Sequence, residues 1–253
     1  MKILITGAAG KLGTAVRKEL AGKHELRLAD ITKIENPEGE SLVLDIADVD
    51  AVQRAMEGME AVAHLAYGNI FGGVKDAEAI RISFDVNARG TYNLLWAAHK
   101  VKAKRFLYSS TLSVHGKILG KTKDLLDEST PPCPNEVYGF TKYLGEEACR
   151  YFADNYGMDI VVLRLCQLRP PKYWARDNAP EFKSKRESGA FGMSTHVADV
   201  ARAIHLSLTK SLKGYQLIHI ASDNKGRITK IDRAKELLGF TPEYRLDSGG
   251  KLS

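Results

Sequence analysis

Short apolar runs alternate along the chain with longer segments in which apolar residues recur at helical spacing. The apolar runs, each of the length of one strand, occupy residues 2–6, 25–30, 41–46, 61–66, 105–110 and 159–165. The segments with helical spacing occupy residues 11–21, 48–58, 80–99 and 138–156. Apolar runs of this length are typical of buried strands, and apolar residues at helical spacing are typical of helices. The pattern therefore predicts six strands, with helices between most of them.

The order of these elements predicts how the strands pair. A strand followed by a helix and another strand forms a parallel pair with a right-handed crossover. The strands are nearly continuous apolar runs, which indicates a sheet covered on both faces. We therefore predict an α/β fold with a doubly wound parallel sheet of the Rossmann type, whose ligand binds at the carboxyl ends of the strands.

After Leu165 the regular alternation is lost. Residues 169–192 contain prolines and show no clear period, so we predict irregular structure there. A helix at 197–208, a strand at 215–222 and a final helix at 229–238 follow. We expect residues 1–165 to form the main domain and residues 166–253 a small, partly interleaved C-terminal cap. Within that cap, residues 197–222 are expected to return to the main domain.

The composition is that of an ordinary globular protein. The 253 residues are 44% hydrophobic, which is enough for one large domain with a small appendage. Lysine and arginine number 37 against 31 aspartate and glutamate residues, so the formal charge is only +6. Basic residues cluster at 97–106 and 182–188, but they form neither an aromatic-interleaved stripe nor a nucleic-acid motif. We therefore expect no nucleic-acid partner.

Cysteine is sparse, and Cys133, Cys149 and Cys166 form no CxxC or cysteine–histidine metal spacing. An odd number of cysteines in a chain of this length indicates free thiols in a reducing compartment. The N-terminal segment lacks the long apolar stretch of a signal peptide, and no segment has the length of a membrane span. We therefore expect a cytoplasmic protein with neither a metal site nor a membrane partner.

A glycine-rich turn joins the first strand to the first helix, with Gly7, Gly10 and Gly13. Glycine lets the backbone approach a pyrophosphate, and the N–H groups of the helix N-terminus bind its negative charge. Asp30 ends the second strand, where an acid about 20 residues after the glycines accepts hydrogen bonds from the adenosine ribose. Because a carboxylate repels a 2′-phosphate, this pattern predicts binding of NAD rather than NADP.

A tyrosine and a lysine four residues apart, Tyr138 and Lys142, open the helix that follows the fifth strand. At this spacing both side chains lie on one face of the helix. A nearby ammonium lowers the pKa of a phenol, so the phenol can exchange a proton with a substrate hydroxyl near neutrality. Ser109, Ser110 and Thr111, at the end of the fifth strand, supply hydroxyl groups that can orient the substrate oxygen.

These features occur in order with several shorter motifs. The motifs are LDIAD at 44–48, HLA at 64–66, NARGTYNLL at 87–95, SSTLSVHG at 109–116 and YGFTK at 138–142. Together they resemble the extended short-chain dehydrogenase/reductases, and among these the NAD-dependent epimerase/dehydratase family. THVADVARAI at 195–204 and AKELLGFTPEY at 234–244 are similar to later landmarks of that family, so the resemblance covers nearly the whole chain.

The resemblance implies a role for each candidate residue. Tyr138 would be the catalytic acid/base, and Lys142 would hold the nicotinamide ribose and tune Tyr138. Thr111 would be the catalytic hydroxyl, with Ser110 as the alternative, and Thr111 and Gln167 would contact the substrate. The implied cofactor-binding positions are Gly7, Gly10, Lys11, Leu12, Gly13, Asp30, Asp45, Ile46, Leu65, Ala66, Tyr67, Asn87, Ser109, Tyr138, Lys142 and Leu165, with Cys166 also beside the nicotinamide.

The chain departs from the family pattern in its C-terminal part. Many sugar-nucleotide epimerases carry a substrate-contacting asparagine where this chain has Gln167, and they have a longer C-terminal domain. In its length and its N-terminal half the chain resembles uronate dehydrogenases, which oxidise free hexuronates. Those enzymes place an arginine shortly before an M-x-S/T segment, where this chain has Gly192. Arg169, Arg176 and Arg186 are the candidates to replace it.

We therefore predict an NAD-dependent enzyme that transfers a hydride at a carbohydrate hydroxyl or ketone, as sugar and uronate dehydrogenases do. One alternative is a sugar-nucleotide 4-epimerase or dehydratase with tightly bound NAD. Another is a non-catalytic dinucleotide-binding protein that senses the redox state. The resemblance also implies a homodimer formed through the two long helices at 80–99 and 138–156.

Overall fold

The secondary structure is described for residues 1–68, 76–122, 124–246 and 250–251 in the computed structural model. The strands are β1 (Lys2–Thr6), β2 (Glu25–Asp30), β3 (Glu40–Val43), β4 (Ala61–His64), β5 (Arg105–Thr111), β6 (Ile160–Leu165), β7 (Gln167–Arg169), β8 (Ser194–His196), β9 (Tyr215–Ile220), β10 (Tyr244–Arg245) and β11 (Gly250–Lys251). The α-helices are α1 (Lys11–Leu20), α2 (Val49–Met56), α3 (Asp76–Ser83), α4 (Thr91–Lys100), α5 (Val137–Tyr156), α6 (Pro171–Asn178), α7 (Lys183–Glu187) and α8 (Val197–Thr209). Segments Phe84–Gly90 and Ala234–Leu238 are π-helical, and Leu112–His115 and Pro180–Phe182 are 3-10 helices.

The central sheet contains seven strands in the order β3-β2-β1-β4-β5-β6-β9, and every neighbouring pair is parallel. The strand order reverses between β1 and β4, which is the kind of switch point where open α/β sheets bind ligands. Outside this sheet, β7 pairs with β8 and β10 pairs with β11. The predicted doubly wound fold of the Rossmann type is confirmed.

Alternate residues of the strands pack into two apolar cores, one on each face of the sheet. In β1, Ile3 and Ile5 pack with residues of α1 and α8, whereas Leu4 packs with residues of α2, α4 and α5. In β9, Ile218 and Leu217 divide between the two cores in the same way. This arrangement explains the nearly continuous apolar runs, because both faces of each strand are covered by a core.

The long helix predicted at 80–99 begins at Asp76, ends at Lys100 and contains the π-helical segment Phe84–Gly90. A π-helical turn adds a residue to the turn without introducing a polar break, so the apolar period does not reveal it. The hydroxyl group of Thr91 donates a hydrogen bond of 2.7 Å to the carbonyl oxygen of Asn87 at the end of this segment.

The prediction of irregular structure at 169–192 was wrong, because this stretch contains α6 and α7 with a 3-10 helix between them. Pro171 is the first residue of α6, and Pro180 begins the 3-10 helix. Proline is favoured at the first helical position because its missing N–H group has no partner there in any case. The prolines therefore start helices here instead of interrupting them.

Several other element boundaries differ from the prediction by one to three residues, for example at the end of β4 and at both ends of α2. The strand predicted at 41–46 ends at Val43, and the Oδ1 atom of Asp45 then accepts a hydrogen bond of 2.9 Å from the N–H group of Ala47. The final helix begins at Asp232 rather than at residue 229. Thr229 instead forms a bridge with Leu126.

The second half of the chain contributes to the main sheet. Strand β9 lies beside β6, and helix α8 packs against α1. The division of the chain at residue 165 stays a prediction. None of the helices in the described part of the chain combines the length and the apolar character needed to cross a membrane.

Candidate active site

The glycine-rich turn lies against the end of β4. Gly7 has a φ angle of +71°, and a Cβ atom at this position would lie 2.5 Å from the backbone nitrogen of Ala66. Only glycine therefore fits here without displacing the loop after β4. The N–H group of Gly10 donates to the carbonyl oxygen of Gly7 at 3.1 Å, which closes the turn before α1.

Asp30, at the end of β2, is hydrogen-bonded to the glycine-rich turn. Its Oδ2 atom accepts a hydrogen bond of 2.9 Å from the N–H group of Ala9. Its Oδ1 atom accepts from the N–H and hydroxyl groups of Thr32 at 3.1 and 3.0 Å. The carboxylate is thus held next to the turn, and carboxylate oxygens have further lone pairs with which they can accept ribose hydroxyl groups.

The loop after β4 is connected to the helices beside it. The N–H group of Gly68 donates to Oδ1 of Asn87 at 3.0 Å, and Nδ2 of Asn87 donates to the hydroxyl group of Thr141 at 3.0 Å. The hydroxyl group of Ser109 donates to the carbonyl oxygen of His64 at 3.0 Å. Asn87 and Ser109 therefore use these contacts to hold the walls of the site in place.

Tyr138 lies in the first turn of α5 and contacts Thr111 and Tyr67. Its ring is 6.2 Å from that of Tyr67 in an edge-to-face arrangement. Burial is the main cause that raises the pKa of Tyr138, and the nearby Tyr67 and Glu136 raise it further. A hydrogen bond with the side chain of Thr111 lowers the pKa of Tyr138. The structure thus brings the predicted acid/base and the predicted hydroxyl group into direct contact.

The amine of Lys142 is buried beside this pair. Lys142 is 1% exposed, and its Nζ atom has no hydrogen-bond partner among the residues that the structure describes. The atom lies 4.2 Å from the centre of the Tyr108 ring. Burial lowers the pKa of Lys142 to about 7, and the nearby Cys149 and Glu146 act in the opposite direction.

The pKa of Tyr138 is shifted by burial, Tyr67, Thr111 and Glu136, and no distance from the phenol to the Lys142 amine is described. The expected effect of the ammonium on the phenol therefore stays a prediction. A buried amine with no hydrogen-bond partner in the part of the chain that the structure describes, a tight glycine turn and a carboxylate at the end of β2 nevertheless all lie toward the carboxyl edge of the sheet. This set fits a dinucleotide. Its pyrophosphate could bind the glycine turn, and its ribose hydroxyl groups could bind the carboxylate and the amine.

The remaining predicted residues surround this centre. Lys11 is exposed at the start of α1, with its Nζ atom 5.8 Å from the Tyr173 ring of α6, whereas Leu12 is buried. Leu65, Ala66 and Tyr67 follow β4, Asp45 and Ile46 follow β3, and Leu165 ends β6. Gln167 is exposed in β7 and donates its N–H group to Met193. The roles assigned to these residues stay predictions.

Cys166 is buried directly after β6. Burial raises the pKa of its thiol to about 12, although a hydrogen bond with the side chain of Thr195 acts in the opposite direction. A thiol with such a pKa is almost entirely protonated near neutrality and is therefore a poor nucleophile.

The three arginines considered as carboxylate ligands all contact Asp177, which is completely buried. Arg169 lies 3.3 Å from Oδ2, and Arg176 donates twice to Oδ1 at 2.9 and 2.7 Å. Arg186 donates to the carbonyl oxygen of Asp177 at 2.7 Å. At Gly192 a Cβ atom would overlap the carbonyl group of Gly226, so no side chain fits there.

A buried ion pair beside the site was not predicted from the sequence. It is formed by Glu146 of α5 and Arg164 of β6. One signal was available. Glu146 follows Lys142 by four residues on the same helix, and Arg164 is a charged residue within an apolar strand. A charge in such a position requires a partner when the strand is buried.

Comparisons with known proteins agree with this geometry. The profile of the NAD dependent epimerase/dehydratase family matches residues 3–185. Uronate dehydrogenase from Pseudomonas putida is 33% identical over 246 residues, which cover 96% of this chain and 84% of that protein. L-arabinose 1-dehydrogenase (NAD(P)(+)) from Haloferax volcanii is 28% identical over 255 residues, which cover 95% of this chain and 96% of that protein.

A solved structure supports the fold. A short-chain dehydrogenase/reductase superfamily protein from Agrobacterium tumefaciens, crystallised with bound NAD, aligns with a TM-score of 0.82 at 24% identity. The alignment covers 98% of this chain and 94% of that chain. The predicted NAD dependence and the predicted enzyme class are confirmed by the family, and uronate dehydrogenases are among the relatives, as expected. The chain belongs to the NAD dependent epimerase/dehydratase family.

Proposed function

We propose that the protein is an NAD-dependent dehydrogenase that oxidises a hydroxyl group of a free sugar or sugar acid. The observation that carries this proposal is the contact of Thr111 with Tyr138 beside the buried amine of Lys142, at the edge of the sheet that holds the glycine turn. The relatives support the substrate class, because uronate and L-arabinose 1-dehydrogenases are among them.

In this proposal, the chemistry that NAD would supply when bound is the acceptance of a hydride. Tyr138 takes the proton from the substrate hydroxyl, and Thr111 holds the substrate oxygen by a hydrogen bond. Lys142 supplies the positive charge that lowers the pKa of Tyr138. Since burial raises the pKa of Tyr138 in the structure, the phenol must first lose its own proton to solvent. The positive charge of Lys142 would favour the resulting phenolate, which then accepts the substrate proton.

The residues that would hold NAD follow from their places around the turn. The glycine turn with Gly7, Gly10 and Gly13 would bind the pyrophosphate, Asp30 the adenosine ribose, and Lys142 the nicotinamide ribose. The other proposed contacts are Lys11, Leu12, Asp45, Ile46, Leu65, Ala66, Tyr67, Asn87, Ser109 and Leu165.

The surroundings of Gly192 bear on the charge of the substrate. No arginine side chain fits at this position, and Arg169, Arg176 and Arg186 are already bound to Asp177 or its carbonyl oxygen. A substrate carboxylate would have to compete with that buried aspartate. We therefore place neutral aldoses before hexuronates as substrates.

The proposal is tested by offering NAD with aldoses, hexuronates, polyols and sugar nucleotides and recording the absorbance of NADH. We expect at least one free sugar to give NADH. Tyr138→Phe should lower kcat by about 10²–10⁴-fold because it removes the proton acceptor. Tyr143→Phe, on the same helix, is the matched control and should keep kcat within about twofold.

The alternative of a sugar-nucleotide 4-epimerase or dehydratase predicts a different result. Such an enzyme would purify with tightly bound NAD and convert a sugar nucleotide without net release of NADH. That outcome, or a substrate whose oxidation Tyr138→Phe leaves unchanged, would overturn the proposed dehydrogenase.

We also infer that the protein is a homodimer. Exposed apolar side chains lie on α3, α4, α5 and the π-helical segment between α3 and α4, and the rings of Phe84 and Phe140 are in contact. The exposed fraction is between 40% and 50% for Ile80, Phe84, Tyr92, Phe140 and Tyr151. A group of exposed apolar side chains is typical of a protein–protein contact, and a second copy of the chain presents the same group.

Light scattering after size-exclusion chromatography tests the homodimer. The double variant Tyr92→Glu with Phe140→Glu should be monomeric, because it places charges within the contact. Val43→Glu changes a side chain on β3 that is 65% exposed, and it should leave the dimer intact. A monomeric wild-type protein, or a double variant that stays dimeric, would exclude this interface.

The free cysteines support a location in the cytoplasm. Cys133 is partly buried, Cys149 and Cys166 are buried, and all three are free thiols. Free thiols persist in reducing compartments.

A further inference from the structure

A buried ion pair joins two of the elements that form the proposed active site. The side chains of Arg164 in β6 and Glu146 in α5 are 3% and 1% exposed. Nε and Nη2 of Arg164 donate to the two carboxylate oxygens of Glu146 at 3.0 and 2.7 Å. Because a bidentate contact of this kind fixes both distance and orientation, it holds α5 in one position relative to β6.

The same pair holds the chain on both sides of Thr111. Ser110, the preceding residue, donates its hydroxyl group to the carboxylate of the pair. His115, at the end of the 3-10 helix after Thr111, accepts a hydrogen bond of 3.0 Å from Nη1 of the guanidinium. The Nδ1 atom of His115 lies 3.3 Å from the carbonyl oxygen of Pro131, in the segment that leads to α5.

Helix α5 carries the proposed catalytic residues on the face that the ion pair controls. Tyr138, Lys142 and Glu146 follow one another at intervals of four residues, and residues at this spacing are neighbours on a helix surface. A displacement of Glu146 from Arg164 would therefore move Tyr138 relative to Thr111.

We propose that Glu146 and Arg164 are positioning residues, which hold the Tyr138–Lys142 face of α5 at hydrogen-bonding distance from Thr111. This inference rests on the proposed function, since it takes Thr111, Tyr138 and Lys142 as the catalytic set. Stability alone is a poor reason for the pair, because apolar residues of similar volume usually stabilise a buried position as well or better. The contacts with Ser110 and His115 give the pair a role that apolar residues cannot fill.

The decisive variant removes both charges together. Glu146→Leu with Arg164→Leu leaves no unpaired charge, and such exchanges are often neutral or stabilising. We expect the variant to fold, with a urea midpoint lowered only by the lost contacts of Ser110 and His115, and the NADH affinity, measured by fluorescence, to stay close to wild type. We expect kcat to fall by about 10–100-fold with KM changed by less than about threefold, because misplaced catalytic groups affect the chemical step.

If the double variant does not fold, a single substitution that keeps the charge of Arg164 tests the positioning role. Arg164→Lys keeps the charge but loses the fork that binds Glu146 and His115 together, and it should lower kcat by about 3–10-fold. Arg202→Lys makes the same exchange in the pair of Asp199 with Arg202, away from Thr111, and should leave kcat unchanged.

Amide hydrogen exchange separates this inference from the proposed function. In the folded double variant, amides at 110–116 and 137–142 should exchange faster than in the wild type. If the wild type oxidises no sugar but this exchange increases, the proposed function fails and the positioning role stands. If the wild type is active and the folded double variant keeps both its kcat and its slow exchange, the positioning role is overturned.

Discussion

At the scale of a single residue, the amine of Lys142 is unfavourable for folding. It is 1% exposed, it contacts the face of the Tyr108 ring, and it has no hydrogen-bond partner in the described part of the chain. Desolvation disfavours its charged form, and its pKa is lowered to about 7. A buried group without a partner is retained where a ligand can use it, at a cost in stability.

We therefore expect Lys142→Met to raise the free energy of unfolding and to weaken the binding of NADH. Removal of the unpaired amine should stabilise the fold by about 1–3 kcal/mol at pH about 7. In the unfolded chain this lysine titrates near 10.5, so wild-type stability rises as the pH increases from about 7 to about 10.5. The difference between the two proteins should shrink over that range, as urea unfolding at several pH values measures.

The matched control is Lys100→Met. Lys100 also lies over an aromatic ring, that of Trp96 at 5.6 Å, but its side chain is exposed. Its unfolding free energy should change by less than about 0.5 kcal/mol. A Lys142→Met protein that is no more stable than wild type, or that binds NADH with unchanged affinity, would contradict this account.

At the scale of elements, the π-helical segment Phe84–Gly90 connects the loop after β4 with α5. The side-chain amide of Asn87 accepts a hydrogen bond from Gly68 and donates one to Thr141, each at 3.0 Å. Asn87 itself is completely buried. One amide therefore sets the distance between two walls of the proposed cofactor site.

We expect Asn87→Ala to destabilise the fold and to weaken the binding of NADH. The N–H group of Gly68 loses its acceptor, which should cost about 1–3 kcal/mol in urea unfolding. The affinity for NADH, measured by fluorescence, should fall because the loop after β4 is no longer tied to α5.

Asn224→Ala is the control for this prediction. Asn224 is also buried, and its amide likewise bridges two segments, since it donates to Ser194 at 2.8 Å and accepts from Leu246 at 3.0 Å. It should lose comparable stability but retain its affinity for NADH. If both variants bind NADH equally well, Asn87 acts on stability alone.

The sequence predicted those elements whose signal is local. Strands β1 and β2 have the predicted bounds, because each is an apolar run that ends at a turn residue. Thr111 and Tyr138 could be placed together because parallel strands end at one edge of the sheet. The pair of Glu146 with Arg164 could not be read in this way, since the two residues are 18 positions apart and meet only after α5 packs on β6.

At the scale of the whole molecule, four buried histidines link stability to pH. His64 lies between the hydroxyl groups of Thr6 and Thr91, and burial lowers its pKa well below the usual value. Burial also lowers the pKa of His115 and His196 to about 4 and that of His219 to about 3. The charge of Arg164 lowers the pKa of His115 and His219 further, because a nearby cation disfavours protonation.

The free energy of unfolding should therefore fall as the pH decreases from about 7 to about 4.5. In the unfolded chain histidines bind protons near pH 6.5, whereas in the folded protein His115 and His196 stay neutral down to about 4. The unfolded state thus binds more protons in this window, and the stability that is present above about pH 6.5 is lost as the pH falls toward about 4.

Urea unfolding should show that the free energy of unfolding falls by roughly 2 kcal/mol or more over this range. His219→Gln should lose less stability than the wild type over the same range, because it lacks one of the histidines whose pKa burial lowers. Equal pH slopes in the two proteins would show that the buried histidines do not set the acid stability.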